Sequence, residues 1–319
     1  MIRVGVISNA RSKRNRASMR SLYALLAQHP QVLHRSFHQI SELSDCLKFM
    51  SEQAVTHLVI SGGDGTVQAA ISHLINDQPF RVMPKLSLLS AGMTNVIAHD
   101  VGLRDLPAAG LKRLVERVEV GDDGEVIERP VLSVDLDDDG PMIHGFLIGA
   151  IGFYQGTILG RRDVHGVGAQ QVLAAKIGIA WAVLKFLWQG PGPRSGFDGE
   201  RVRLGIDNEA ASEQDLFMIM TTTLESILPG IMPFWGAGSG AIKLTTIAHP
   251  PKRFARAVLP TLRGRPAPWM EQAGYIGRKV SRLRVEMKSP IVMDGEIYET
   301  DAGQSISIST GPTIRFHRF

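Results

Sequence analysis

The sequence predicts an α/β domain followed by a β domain, and the spacing of apolar residues is the main reason. Strand-like and helix-like segments alternate through about the first 119 residues, which is typical of a parallel sheet with helices on its faces. After about residue 122 this pattern gives way to short strands, two of which, at 282–287 and 305–309, alternate strictly between apolar and polar residues. We therefore expect two domains, at 1–122 and 123–307.

The elements of the first domain follow one another as strand, then helix, then strand. Residues 57–61 form a largely apolar run that ends at a glycine turn, as expected of a buried strand. In the segment that follows, Val67, Ala70 and Leu74 recur at the spacing of one helical face. By these criteria we predict strands at 4–7, 32–37, 57–61 and 86–89, and helices at 18–28, 40–50, 66–76 and from residue 94.

The second domain is predicted to be mostly antiparallel, as a β-sandwich with one or two inserted helices. Acidic turn signals at 122–124 and 137–140 separate its first strand from its neighbours. The predicted strands lie at 130–136, 144–151, 201–207, 215–223, 241–247, 282–287 and 305–309. Residues 172–188 are interpreted as a core helix, with a helix lying against a bilayer as the alternative.

Composition and charge narrow the classes of function. A net charge of +4 on 319 residues is too weak to indicate nucleic-acid binding. The single cysteine, Cys46, excludes an intrachain disulfide, fits the reducing cytoplasm, and is interpreted as a buried structural thiol. The sequence contains no run of 18 apolar residues, so it predicts no membrane span.

The glycine turn at Gly62–Thr66 predicts a phosphate-binding site. Glycines let the backbone approach a phosphate closely, and the start of the following helix presents free N–H groups and partial positive charge. Asp64 would repel a polyphosphate unless a cation or a hydroxyl donor lies between them. The turn therefore indicates a nucleotide site with Mg²⁺, with capping of the following helix as the alternative role for Asp64.

Two further polar segments are expected at the same edge of the sheet. Residues 8–15 follow the first predicted strand, and residues 90–95 follow the fourth. Because ligands of open parallel sheets bind beyond the carboxyl ends of the strands, we expect these segments to meet the glycine turn. Four basic side chains lie in or directly after the first of these segments: Arg11, Lys13, Arg14 and Arg16. We interpret them either as contacts to phosphates or lipid headgroups, or as a solvated face.

Taken together, the motifs resemble the diacylglycerol kinase catalytic family, in particular the bacterial soluble lipid kinases related to sphingosine kinase. The segments that carry the resemblance are Asn9–Lys13, Gly62–Thr66, Ala91–Asn95, Gly145–Phe153 and Met293–Glu296. The resemblance implies a Rossmann-like, NAD-kinase-like α/β domain beside a β-sandwich domain for the lipid, with residues 308–319 returning to the first domain.

The resemblance also implies the roles of individual residues in an ATP- and Mg²⁺-dependent transfer. Asp294 is implied to accept the proton of the lipid hydroxyl, and Glu296, on the same side if the segment is extended, to orient the site. The hairpin turn is the alternative for this segment. Asp64 and Asp135 are implied to belong to the metal network. The residues implied to bind ATP are Asn9, Ser12, Gly62, Gly63, Asp64, Gly65, Thr66, Gly92, Thr94 and Asn95.

Three positions depart from the family pattern. Met93 stands where a threonine is usual, and Val96 stands where an aspartate of the metal network is often found. Residues 238–243 contain no acid, so we expect no structural metal there.

A lipid kinase that acts on diacylglycerol or a related neutral lipid is the leading hypothesis, at or near the inner membrane surface. An NAD kinase shares the glycine turn, but residues 221–225 do not match the threonine-rich segment of that family. Phosphofructokinases open with a glycine-rich first loop, which is absent from residues 8–12. A non-catalytic lipid or nucleotide binder with the same fold is the third alternative, and a homodimer is also considered.

Overall fold

The chain forms two compact units in a computed structural model. The first comprises Met1–Arg129 together with Pro312–Phe319, and the second comprises Pro130–Gly311. The structure describes residues 3–12, 21–22, 24–92, 94–103, 107–136, 140–163, 197–300 and 303–319.

The first unit contains a parallel sheet in the order β4-β3-β1-β2. Its strands are β1 (Val4–Asn9), β2 (Leu33–Phe37), β3 (His57–Gly62) and β4 (Lys85–Ser90). Every residue of β3 is buried, as its apolar sequence predicts. The end of the chain joins this sheet, because Phe316 pairs in parallel with Leu86 of β4.

Helices pack against this sheet through apolar faces. They are α1 (Leu43–Glu52), α2 (Asp64–Asn76), α3 (Val96–Val101) and α4 (Pro107–Glu119). Residues 21–22 and 24–28 are also helical, and a 3₁₀ turn, Ile40–Glu42, precedes α1. In α4, Leu111, Leu114 and Val115 are buried at helical spacing against the sheet core.

The second unit is built from antiparallel strands. They include β6 (Ile143–Gly145), β7 (Leu147–Ile151), β8 (Glu200–Ile206), β9 (Ser212–Thr222), β10 (Ile242–Ala248), β11 (Tyr275–Val280), β12 (Arg282–Glu286), β13 (Ile291–Met293) and β14 (Glu296–Tyr298). Two longer strands, β5 (Glu125–Asp135) and β15 (Ser305–Arg318), belong partly to each unit. Two helices, α5 (Gly152–Asp163) and α6 (Phe254–Leu262), complete the unit.

The core of the second unit follows the period-two pattern of its strands. Inward side chains come in pairs two residues apart, among them Leu132 with Val134, Ile148 with Ala150, Val202 with Leu204, Leu283 with Val285, and Ile306 with Ile308. A smaller cluster around Phe217, Ala257 and Tyr275 packs beneath α6. The fold class predicted from the sequence, α/β followed by a β-sandwich domain, is confirmed.

The sequence missed α5, α6 and the short strands β11, β13 and β14. These strands have three to six residues, which is too short for an alternation to stand out. Within the described part of the chain, no helix is long and apolar enough to cross a membrane. The segments at 13–15, 137–139, 172–188 and 190–193, with Met93, lie outside the described residues.

Candidate active site

Three strands of the first unit end at the same edge of the sheet, and each is followed by a predicted nucleotide-binding segment. β1 ends at Asn9, β3 ends at Gly62 and β4 ends at Ser90. The strands are parallel neighbours, so these ends lie side by side.

The two glycine loops at this edge touch each other through their backbones. A Cβ atom built on Gly92 would lie 2.3 Å from the Cα atom of Gly63, closer than side chains tolerate. The Ala91 amide also donates to the Gly62 carbonyl at 2.9 Å. Glycine is therefore needed at position 92 because the loops approach closely, whatever else the site binds.

Polar contacts tie the β1 loop to the glycine loops. The Asn9 amide nitrogen, Nδ2, donates to the Thr66 hydroxyl at 2.9 Å, and Asn9 Oδ1 accepts from the Arg11 amide at 2.9 Å. The buried Ser12 hydroxyl donates to the Ala91 carbonyl. The structure thus brings Asn9, Ser12 and both glycine loops together.

Asp64 lies at the first position of α2, but its carboxylate caps a different helix. Oδ1 accepts from the Ile97 amide at 2.9 Å, and Oδ2 accepts from the Thr94 hydroxyl at 3.2 Å. Burial raises the pKa of this carboxyl, while donors from the 94–97 loop act in the opposite direction. On the sequence alone, Asp64 is considered as a cap for the helix that follows it, α2. The Asp64 carboxylate instead caps α3, which follows the second glycine loop.

Asn95 closes the second loop. Its side chain accepts from the Gly92 amide at 2.7 Å and donates to the Gly92 carbonyl at 2.9 Å. Its backbone has a φ of 51°, a left-handed conformation that asparagine tolerates better than most residues. Thr94 is exposed at the tip of this loop, and Val96 is the first residue of α3.

The beginning of α2 has the features that a phosphate would use. Its N-cap is Gly63, which offers no side-chain cap, and the first bond back to it comes from the Val67 amide. The amides of Asp64, Gly65 and Thr66 precede that bond and have no acceptor within the helix. Together with the helix dipole, they favour an anion at this edge.

The acidic set available for a cation is small. Among the described residues, no three His, Cys, Asp or Glu side chains converge as metal ligands. Asp64 is the one predicted metal residue at the loops, and Asp135 ends β5 in the second unit. Mg²⁺ commonly uses one or two carboxylates with phosphates and water, so Asp64 and bound phosphates fit this minimal set.

The second unit holds Asp294 in a fixed orientation. Asp294 and Gly295 have φ values of 49° and 89° and form the two-residue turn between β13 and β14. The Asp294 carboxylate is buried and accepts from the amides of Phe146 at 2.8 Å and Leu147 at 3.0 Å. These charge-assisted hydrogen bonds lock the carboxylate against the start of β7.

Glu296 does not share a face with Asp294 in the way the sequence suggested. That expectation required an extended segment, and it is wrong because a tight turn separates the two residues. Glu296 pairs with Met293 across the hairpin and is exposed. The hairpin alternative describes this segment correctly.

Two segments singled out from the sequence meet within the second unit. A Cβ atom on Gly145 would lie 2.3 Å from Asp294 Oδ2, so the stretch from Gly145 packs directly on the aspartate. The Thr222 hydroxyl donates to the Phe146 carbonyl at 2.8 Å and steadies the same backbone. Sequence reasoning missed the donors to the two carboxylates: the Ile97 amide for Asp64, and the Phe146 and Leu147 amides for Asp294. Backbone amides leave no mark in the sequence, because nearly every residue type supplies one.

Comparison with known proteins identifies the first unit. The family model of the diacylglycerol kinase catalytic domain matches residues 3–123. The match confirms, over these residues, the resemblance predicted from the glycine loops.

Solved structures from Bacillus anthracis strain Sterne match nearly the full length of the chain. A candidate diacylglycerol kinase has a TM-score of 0.67 at 14% identity, covering 99% of this chain and 96% of that one. A diacylglycerol kinase has a TM-score of 0.62 at 14% identity, with coverage of 99% and 97%. At this identity the likeness establishes a shared fold. Curated proteins give no significant match.

Proposed function

We propose that the protein is an ATP-dependent lipid kinase that phosphorylates the hydroxyl of a neutral lipid, with diacylglycerol as the leading acceptor. The observation that carries the proposal is the direct contact of two glycine loops at the sheet edge, within the region that matches the family model. The fold alone would not decide the reaction, so the proposal depends on these loops.

The first unit would hold the nucleotide. Amides at the start of α2 and in the 92–95 loop would bind the phosphates, and Asn9 would fix the loop beside Thr66. Asp64 would face the phosphates with its carboxylate anchored on α3. Mg²⁺, when bound, would neutralise charge on the phosphates.

Asp294 would orient the lipid hydroxyl. The hydroxyl oxygen attacks the γ-phosphorus, the bond from that phosphorus to the β–γ bridging oxygen breaks, and ADP leaves. The hydroxyl proton passes to the Asp294 carboxylate and then to solvent. Two amides would hold that carboxylate in one orientation while it accepts the proton.

The acceptor would be presented by a membrane. An acyl-chain lipid resides in a bilayer, and no described helix spans one, so we propose a cytoplasmic protein that meets its substrate at the inner membrane surface.

Transfer of label from γ-labelled ATP to a panel of lipids tests the function. We expect a labelled phospholipid with a diacylglycerol acceptor, and a loss of at least about 100-fold in kcat for Asp294→Asn. The matched control is Glu299→Gln, which neutralises an exposed carboxylate in the same hairpin region and should leave transfer unchanged. Circular dichroism and thermal unfolding must show that both variants fold.

Three outcomes would contradict the proposal. Label that appears on NAD rather than on lipid would favour the NAD kinase alternative. No transfer to any lipid, with ATP binding retained, would favour a non-catalytic binder. Equal transfer by Asp294→Asn and the folded wild type would remove Asp294 from the mechanism.

A further inference from the structure

A long stretch of the second unit carries positive charge without any negative charge. Residues 226–270 contain no aspartate or glutamate. They contain six cations: Lys243, Lys252, Arg253, Arg256, Arg263 and Arg265. The net charge of the whole chain is +4, so this stretch alone carries more net positive charge than the chain as a whole.

Helix α6 and its C-cap display two of these cations, with an apolar residue between them, on one exposed face. Arg256, Leu259 and Arg263 follow one another at spacings of three and four residues, which places them on a single side of the helix. All three are exposed, with Leu259 at 53%. Ala257 and Thr261, on the opposite side, are buried against the aromatic cluster.

The cations of this face are not neutralised by neighbours within the described part of the chain. No carboxylate lies within ion-pairing distance of Lys252, Arg256, Arg263 or Arg265. Arg253 instead stacks over the Trp269 ring, with its guanidinium carbon 5.5 Å from the ring centroid.

Three exposed arginines elsewhere in the same unit have carboxylate partners, unlike Arg256 and Arg263 of α6. Arg201 contacts Glu213, Arg203 lies 3.8 Å from Glu286, and Arg278 lies 3.0 Å from Glu209.

An apolar turn lies next to the end of α6. Leu228 and Ile231 form a β-bridge around Pro229 and Gly230, which are both exposed. The Met232 amide donates to the Leu262 carbonyl at 2.8 Å, which fixes this turn beside the helix. Apolar groups therefore adjoin the cationic stripe.

We infer that this surface, formed by residues 252–265 and the turn at 228–231, docks reversibly on an anionic lipid bilayer. Unpaired lysine and arginine side chains suit lipid phosphates and carboxylates. The exposed Leu259 and the apolar turn suit the interface just below the headgroups. A nucleic acid would use the same cations but gains nothing from Leu259 or Pro229, so the bilayer is the better match.

Vesicle binding tests this inference. The probes are vesicles of phosphatidylcholine alone and vesicles containing phosphatidylserine, with binding measured by sedimentation. The triple variant Lys252→Gln, Arg256→Gln and Arg263→Gln should bind the anionic vesicles about 100-fold more weakly, since each cation near an anionic surface contributes roughly a fivefold effect. Leu259→Ser should also weaken binding, by a few-fold.

The matched control is the triple variant Arg201→Gln, Arg203→Gln and Arg278→Gln. It removes the same number of charges from the same unit, but from cations that already have carboxylate partners, so it should bind like the wild type. Equal loss in both triple variants would overturn the inference, because net charge rather than this face would then govern binding. Tighter binding to a polyanion such as RNA, with Leu259→Ser silent in the vesicle assay, would also overturn it.

The inference extends the proposed function, but its test needs no ATP and no phosphoryl transfer. A protein that binds anionic vesicles through this face and transfers no phosphate would contradict only the kinase proposal. A protein that phosphorylates lipid dispersed in detergent and ignores vesicles would contradict only the docking surface.

Discussion

His57 is a buried histidine that burial keeps in the neutral form. The Ser87 hydroxyl donates its single proton to the His317 carbonyl at 2.6 Å, so His57 Nε2, 3.0 Å from the same hydroxyl, is the donor of that pair. Burial, with His317 and Lys85 nearby, lowers the pKa of His57 from 6.5 to about 4. The ring therefore sits uncharged at the beginning of β3, against the last strand of the chain.

The pKa of His57 predicts an acid-sensitive first unit. Between pH 6.5 and about 4 the unfolded state binds a proton that the folded state does not, so stability is full above pH 6.5 and falls as pH drops. The whole shift corresponds to about 3 kcal/mol, and about 2 kcal/mol of it is lost between pH 7 and 5. His57→Gln should therefore show a smaller loss over this range in urea unfolding followed by circular dichroism.

The control for this prediction is His38→Gln, which changes an exposed histidine of the same unit. It should follow the wild-type pH dependence. A pH dependence of His57→Gln that matches the wild type would show that the buried ring does not cause the acid sensitivity.

Asp100 and Arg129 form a bidentate ion pair inside the first unit. Arg129 Nε and Nη2 donate to the two carboxylate oxygens at 2.7 and 3.2 Å, and only 4% of the Asp100 side chain is exposed. Arg129→Met leaves a buried carboxylate without this partner and should destabilise the unit by about 3 to 5 kcal/mol. Thermal and urea unfolding measure the effect.

Arg315→Met provides the comparison, since Arg315 pairs with Glu128 at the surface. That variant should lose less than about 1 kcal/mol. If the two variants lost equal stability, burial of the Asp100 pair would not be the source of the effect.

At the scale of elements, the site in the first unit is a set of loops that hold one another. Asp64 of the first loop caps α3, and Asn95 closes the second loop on Gly92. The backbone contact of Gly63 with Gly92 brings both loops into one structure. A substitution in either loop should therefore change the conformation of both loops.

Gly92→Ala tests this coupling. Its Cβ atom would lie 2.3 Å from the backbone of Gly63, so the loops must separate. We expect a loss of about 1 to 3 kcal/mol in stability. Under the proposed function, ATP with Mg²⁺ should raise the Tm of the wild type, and this shift should be lost in Gly92→Ala. Differential scanning fluorimetry with and without nucleotide measures both quantities.

Gly156→Ala is the matched control for a glycine replacement. Gly156 lies in α5, where a Cβ atom would meet its nearest neighbour at 3.8 Å, an ordinary contact distance. The Gly156→Ala variant should have unchanged stability or gain up to about 1 kcal/mol. Its Tm should respond to ATP with Mg²⁺ as that of the wild type does. If ATP with Mg²⁺ raised the Tm of Gly92→Ala as much as that of the wild type, ATP binding would not depend on the contact between the loops.

At the scale of the whole molecule, the sequence predicted the fold class because its two parts have different periodicities. The order of β1, β3 and β4 with their helices could be predicted, and with it the common edge where Asn9, Gly62 and Gly92 lie. The hydrogen-bond partners of the two carboxylates could not be predicted. Asp64 and Asp294 accept from backbone amides, and every residue type except proline has such an amide. The cationic surface at 252–265 was overlooked, although the absence of acids from residues 226–270 was visible in the sequence.

The division of the chain into units has a consequence for its synthesis. The first unit takes its final eight residues, Pro312–Phe319, from the far end of the sequence, after the whole second unit. A ribosome delivers the amino-terminal segment first, yet that segment lacks its last strand until residues 312–319 have been synthesised. The second unit, which is continuous, can fold earlier. The first unit therefore cannot complete its sheet until the second unit has been synthesised, and we expect removal of residues 312–319 to destabilise it.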